Sequence, residues 1–294
     1  TRSGRTPCRL HSQCGISNVR MTGEKNNGKG RLTIRVGKNT LSFSMVDMTN
    51  REQPITFEPY VVKSGISMAA NLREAFKEGE KVREGEGEKV RRARVMINAP
   101  VLMVPVEQFS ESETETLYRH SFPKSEQLTV VYNVIPSLNA VAIFGINKDL
   151  LLVLNDNFSD VQLIHAVSPV WNYLHQRSFT GHRNKLYGYF HDGQVDIFSF
   201  QQNRFKFCNS FETSNAHDAL YFLLYVWKQM NLQPTHDEMH IVGDIPEKEW
   251  LLEELRKYLQ KAYAINPTAE FNRAPATLIN GMPFDLMTLF TKGR

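Results

Sequence analysis

Arg35, Gly37 and Lys38 fall together in residues 32–46, LTIRVGKNTLSFSMV, where two runs of strand-forming residues flank a Gly-Lys-Asn turn. A glycine turn lets backbone amides approach a phosphate closely, and Arg35 and Lys38 could pair with that phosphate directly. Arginine stays cationic, however, and cannot ligate magnesium. The plainer expectation is that Arg35 faces outward beside an ordinary turn. A second turn, His191-Asp192-Gly193, joins two further strand-like runs. Asp-Gly supplies the positive φ angles of a tight β-turn, and Asp192 is the candidate metal ligand of this stretch. A third stretch reads Ile241-Val242-Gly243-Asp244-Ile245-Pro246. Asp244 precedes Pro246 and Glu247 at an expected helix start, where its carboxylate would cap free amides.

Other constellations carry less chemistry. His236 and His240 are spaced i, i+4, but such a pair converges on a metal only on a helix, and this segment enters a strand. Cys8, His11 and Cys14 lack the fourth ligand of a structural zinc site. Cys208 lies in the strand-like RFKFCNSF, where packing and a reducing compartment are expected. The sequence contains neither G-x-x-x-x-G-K-[ST] nor G-x-G-x-x-G, and no Ser/His/Asp set lies in a nucleophile-elbow context. Arg91, Arg92 and Arg94 are offset by preceding glutamates and are expected in a solvated loop.

The chain of 294 residues is long enough for two domains with their own cores, and no apolar run is long enough to span a bilayer. The four arginines of residues 1–20 account for the whole net charge of +4; without them 31 basic and 31 acidic residues remain. Translation is expected to begin at Met21, so the basic balance does not argue for nucleic acid. Three strands are expected within residues 32–62, then a helix capped by Ser67, a charged loop over residues 77–92, and a buried strand in ARVMINAPVLMVPV. A helix over residues 106–120 and strands over 128–135 and 140–146 follow. Residues 185–211 again read as three strands, followed by a helix over 215–230 capped by Ser214 or Thr213 and apolar nearly all round, a strand and a helix. The shared order suggests an internal duplication, with two mixed sheets covered by helices. The apolar residues 282–290 are expected to fold back on the body and close its core.

This order resembles the actin-like ATPase (ribonuclease H-like) fold of actin, sugar kinases, the Hsp70 ATPase domain and PilM. LTIRVGKNTLSFSM, NAPVLMVPVEQF, ETSNAHDALYFLLYVWKQMNL and MPFDLMTLF are also similar to a bacterial family of that fold, domain of unknown function 3822. Residues 1–30 are expected to form a disordered leader, and the resemblance implies an actin-like domain I over 31–158 and a domain II over 159–294. In active members a D-x-G hairpin in each domain and a Gly-Gly turn in the second hold ATP with Mg2+ in the interdomain cleft. The matching positions here are Arg35, Gly37 and Lys38 in the first hairpin, Asp192 and Gly193 in the second, and Gly243 and Asp244 in the last turn. Arg35 and Tyr189 stand where the family's acids would be, and Asp244 replaces the second glycine. The expectation is therefore a nucleotide-degenerate, cytoplasmic adaptor or scaffold that binds a protein partner and needs no cofactor. The alternative is an ATPase or small-molecule kinase with a rebuilt phosphate site. PilM-like proteins bind a partner's peptide near the cleft, which makes that region a candidate surface by analogy.

Overall fold

The computed structural model describes residues 31–47, 54–82, 92–179, 183–201 and 204–291. The Cys8, His11 and Cys14 cluster, Met21 and most of the charged loop lie outside the described residues. The expected opening meander is present as β1 (Leu32–Val36), β2 (Leu41–Val46) and β3 (Ile55–Tyr60), antiparallel in succession. Helix α1 (Met68–Val82) follows, its first turn capped by Ser67 Oγ, which accepts the Ala70 amide at 3.2 Å. Strand β4 (Arg92–Ile97) then lies parallel to β1. Arg92 and Arg94 are thus strand residues rather than loop residues, meeting Asp160 and Gln162.

The run ARVMINAPVLMVPV, expected as one strand, makes two. Asn98-Ala99-Pro100 breaks it where proline cannot donate to a ladder. Strand β5 (Val101–Pro105) then joins a separate antiparallel sheet with β6 (Leu128–Ile135) and β7 (Ala140–Asn147). The helix expected over 106–120 is reduced to 3-10 turns and α2 (Thr114–Ser121). After α3 (Lys148–Asn157), strand β8 (Asp160–His165) pairs parallel with β4, so the first sheet runs on past the division expected between 158 and 159.

Helix α4 (Ser168–Ser178) leads to β9 (Lys185–His191), β10 (Gln194–Gln201) and β11 (Arg204–Glu212), then α5 (Ala216–Gln229), β12 (Glu238–Gly243), α6 (Lys248–Tyr258), β13 (Ala262–Ala264), α7 (Pro267–Glu270) and α8 (Phe284–Thr291). Asn215, not Ser214 or Thr213, caps α5. The outer face of α5 is open at Tyr221 and Tyr225 rather than covered all round. The two large sheets have the same strand order, β3-β2-β1-β4-β8 and β11-β10-β9-β12-β13, with matching parallel and antiparallel neighbours.

Each large sheet is covered on both faces. Leu32, Ile34 and Val36 pack with Leu72 of α1 and Leu150 and Val153 of α3. Leu186 and Phe190 pack likewise with Leu223 of α5 and Leu251 of α6. The opposite faces share a layer made by α4 and α8: Phe284 packs with Tyr187 and Tyr189, and Leu286 with Met96 and Ile164. Alternation along β1 therefore turns Thr33 and Arg35 toward this shared layer, and all five β1 residues are buried.

Candidate interdomain site

The β1–β2 and β9–β10 hairpins bring their tips together. Arg35, expected to face outward, is 4% exposed and lies between the carboxylates of Asp192, in the second hairpin, and Asp285, in α8. Its Nε donates to Asp285 at 3.0 and 2.8 Å. One terminal nitrogen donates to Asp192 Oδ2 at 2.8 Å, and the other reaches Thr40 Oγ1 at 3.1 Å. The correction has a simple cause: the C-terminal helix α8 covers the face that would otherwise be solvent. Asp285 lies in the first turn of α8, where the helix dipole favours its charge. Its backbone amide donates to Tyr189 Oη at 3.3 Å.

Asp192 is fully occupied. Besides Arg35, its carboxylate accepts Thr40 Oγ1 at 2.6 Å, Asn98 Nδ2 at 3.1 Å and His191 Nδ1 at 3.1 Å. With about four lone-pair sites on a carboxylate, these donors leave no room for magnesium. His191 Nε2 meets Asp196 Oδ2 at 3.0 Å, and Gln194 donates to the other oxygen of Asp196 at 3.0 Å. Burial alone would lower the His191 pKa, but the Asp196 and Asp192 carboxylates raise it to about 9. Burial opposes ionisation of Asp192, yet His191 and Arg35 hold its carboxyl well below the usual range. The result is a buried row of alternating charge: Asp285, Arg35, Asp192, His191, Asp196. In a low-dielectric setting each member depends on its neighbours for compensation.

The glycines serve this closure. Gly37 donates its amide to Thr40 O at 2.8 Å, and a Cβ on it would collide with Thr40 Oγ1 and the Asp192 carboxylate. Asp192 and Gly193 have φ of 49° and 75°, the expected tight turn. Gly243 has φ of 101°, and a Cβ there would strike the Phe190 carbonyl. Lys38 is not part of the buried row; it is exposed and pairs with Glu212 at 2.5 Å.

Asp244 departs from its expected role. Helix α6 starts at Lys248, behind Glu247 at φ 40°, with no side-chain cap. The Asp244 amide donates to Phe190 O at 2.9 Å, as the Asn98 amide does to Val36 O in the first sheet. Its carboxylate has no hydrogen-bond or ion-pair partner among the described residues. It lines a cavity of about 470 Å3 together with Arg35, Thr40, Phe57, Tyr60 and His191. Burial, partly offset by Arg35, raises its pKa.

His236 and His240 do not converge; they meet Asp237 and Glu238 separately. Among the described residues no group of three or more His, Cys, Asp or Glu side chains is placed to hold a metal ion, and no helix is long and apolar enough to cross a membrane. The sequence reading missed Thr40, Asn98 and Asp285. Arg35 and Asp285 each interrupt an apolar run, and a charge inside such a run needs a buried partner; that was the available signal.

A Bacteroides thetaiotaomicron protein of actin-like ATPase fold and unknown function, known from its crystal structure, is similar over 90% of this chain and 96% of its own, with 28% identity and a TM-score of 0.75. A chain of the PilM-PilN type IV pilus biogenesis complex is similar over 89% and 96% with a TM-score of 0.55; at 10% identity this likeness speaks to the fold alone. No curated protein matches the chain. The family described as "Protein of unknown function (DUF3822)" matches residues 22–262. Two mixed sheets of equal order, joined at their hairpin tips, have the architecture of the actin-like ATPase fold, and the chain belongs to the DUF3822 family.

Proposed function

We propose that this protein is a nucleotide-degenerate member of the actin-like fold, acting in the cytoplasm as an adaptor or scaffold for another protein and requiring no cofactor. The observation that carries the reading is the Asp192 carboxylate, which sits between the two hairpin tips with donors from Arg35, Thr40, Asn98 and His191. A phosphate held by those tips would have to displace it, and magnesium would find its oxygens taken. The closure links the hairpins through side chains where a nucleotide would otherwise link them. The PilM-PilN complex supports a protein partner by analogy, because there a protein of this fold is found in a complex.

Calorimetric titration of the full chain with ATP and ADP, with and without Mg2+, tests the reading. The expected result is dissociation constants in the millimolar range or weaker, with no magnesium effect. Micromolar, magnesium-dependent binding would sink it and favour an ATPase or small-molecule kinase with a rebuilt phosphate site.

A further inference from the structure

The cavity beside the hairpin tips has an unbalanced chemistry. Its two cationic side chains, Arg35 and His191, each lie between two carboxylates. Neither is available to an anion. Of its carboxylates, Asp192 is saturated and Asp244 has neither a capping role nor a hydrogen-bond or ion-pair partner, so among the described residues the one uncommitted charge in the wall is negative. The same cavity is lined by Phe57 and by the prolines Pro59, Pro246 and Pro283, while the side chain of Tyr60 packs with the α1 cluster on the other face of the sheet. Aromatic faces favour a cation above them, and aromatic and proline rings alike accept an aliphatic stem. The volume of about 470 Å3 lies within the roughly 300–1,000 Å3 of ordinary ligand sites. A divalent metal is a poorer match, because it needs several oxygens and Asp192 is saturated.

We propose that this cavity receives an arginine or lysine side chain of the protein partner, with the charged end on the Asp244 carboxylate and the stem against Phe57 and the prolines. The inference rests on the adaptor reading and gives its partner a recognisable feature: a basic side chain presented to the cleft.

The test is an NMR titration of the isotope-labelled full chain. The probes are the blocked tripeptides Ac-Ala-Arg-Ala-NH2 and Ac-Ala-Lys-Ala-NH2, the norleucine analogue, agmatine and MgATP. The arginine or lysine peptide is expected to shift amides around Gly193 and Asp244 saturably, while the norleucine peptide leaves them in place. Asp244→Asn is expected to weaken the cationic peptide about tenfold, the scale of one charge-assisted contact, and Asp244→Glu to restore part of the loss. Unchanged spectra away from the cavity check that the variants fold. Absence of saturable shifts with either cationic peptide, equal binding of norleucine, or an indifferent Asp244→Asn variant overturns the proposal. Agmatine binding tenfold tighter than the arginine peptide also overturns it, in favour of a free amine. Saturable MgATP binding would overturn the adaptor reading and this proposal with it; silence from every probe overturns this proposal alone.

Discussion

Arg35 and Asp285 are 250 residues apart in the chain and meet in its interior, with Arg35 Nε 2.8 Å from Asp285 Oδ2. The pair ties the first strand to the last helix, and Arg35 also reaches Asp192 at the tip of the second hairpin. One guanidinium therefore joins three segments, because its planar fork can serve two carboxylates at once.

Removing that guanidinium leaves the buried Asp285 carboxylate without its cation and Asp192 with His191 alone for charge compensation. Arg35→Ala is expected to lower the unfolding free energy by about 3–5 kcal/mol in urea denaturation. Arg35→Lys keeps the charge but cannot reach both acids with the same geometry, so it is expected to fall between wild type and Arg35→Ala. A wild-type urea midpoint in Arg35→Ala would mean that the network contributes little to the fold.

Gly37 makes a separate prediction from sterics. A Cβ at this position collides with Thr40 Oγ1 and the Asp192 carboxylate, which are themselves hydrogen-bonded at 2.6 Å, so neither yields freely. Gly37→Ala is expected to destabilise by about 1–3 kcal/mol. Gly79 is the contrast: it lies within α1, and a Cβ there has nothing within 4 Å. Gly79→Ala is expected to stabilise by about 0.5–1 kcal/mol, since alanine loses less backbone freedom in a helix. Thermal melts of the two variants side by side check both, and a shift in the same direction would contradict the assignment.

Much of the fold was legible because strand alternation and turn chemistry are local. The Asp192-Gly193 turn and the Ser67 cap needed only their own residues. Arg35 did not, because its exposure depends on α8, whose segment looked from its sequence like simple core closure. The Asp244 reading failed for a related reason: Pro246 and Glu247 suggested an immediate helix start, but the chain takes a left-handed residue at Glu247 first and α6 begins at Lys248. A cap depends on where the first turn falls, and a shift of a residue or two disengages it.

Two buried histidines give stability opposite pH slopes. The His191 pKa is raised by Asp196 and Asp192 to about 9, above the ordinary value near 6.5, so its contribution is complete below about pH 6.5 and is lost as pH rises through about 9. The size is on the order of 3 kcal/mol. His165 behaves in the opposite way: burial lowers its pKa to about 4, its Nδ1 accepts the Val167 amide at 3.3 Å, and Nε2 donates to the Ala99 carbonyl at 2.9 Å. That neutral form contributes fully above about pH 6.5, and the contribution is lost as pH falls toward about 4. Stability measured by urea unfolding from pH 5 to pH 9.5 is therefore expected to peak near pH 6.5, about the ordinary histidine value. His191→Gln is expected to flatten the alkaline side while leaving the acid side in place, because glutamine keeps a donor but no titrating charge. An alkaline slope that survives this substitution would show that the charge between Asp192 and Asp196 is not what the fold loses at high pH.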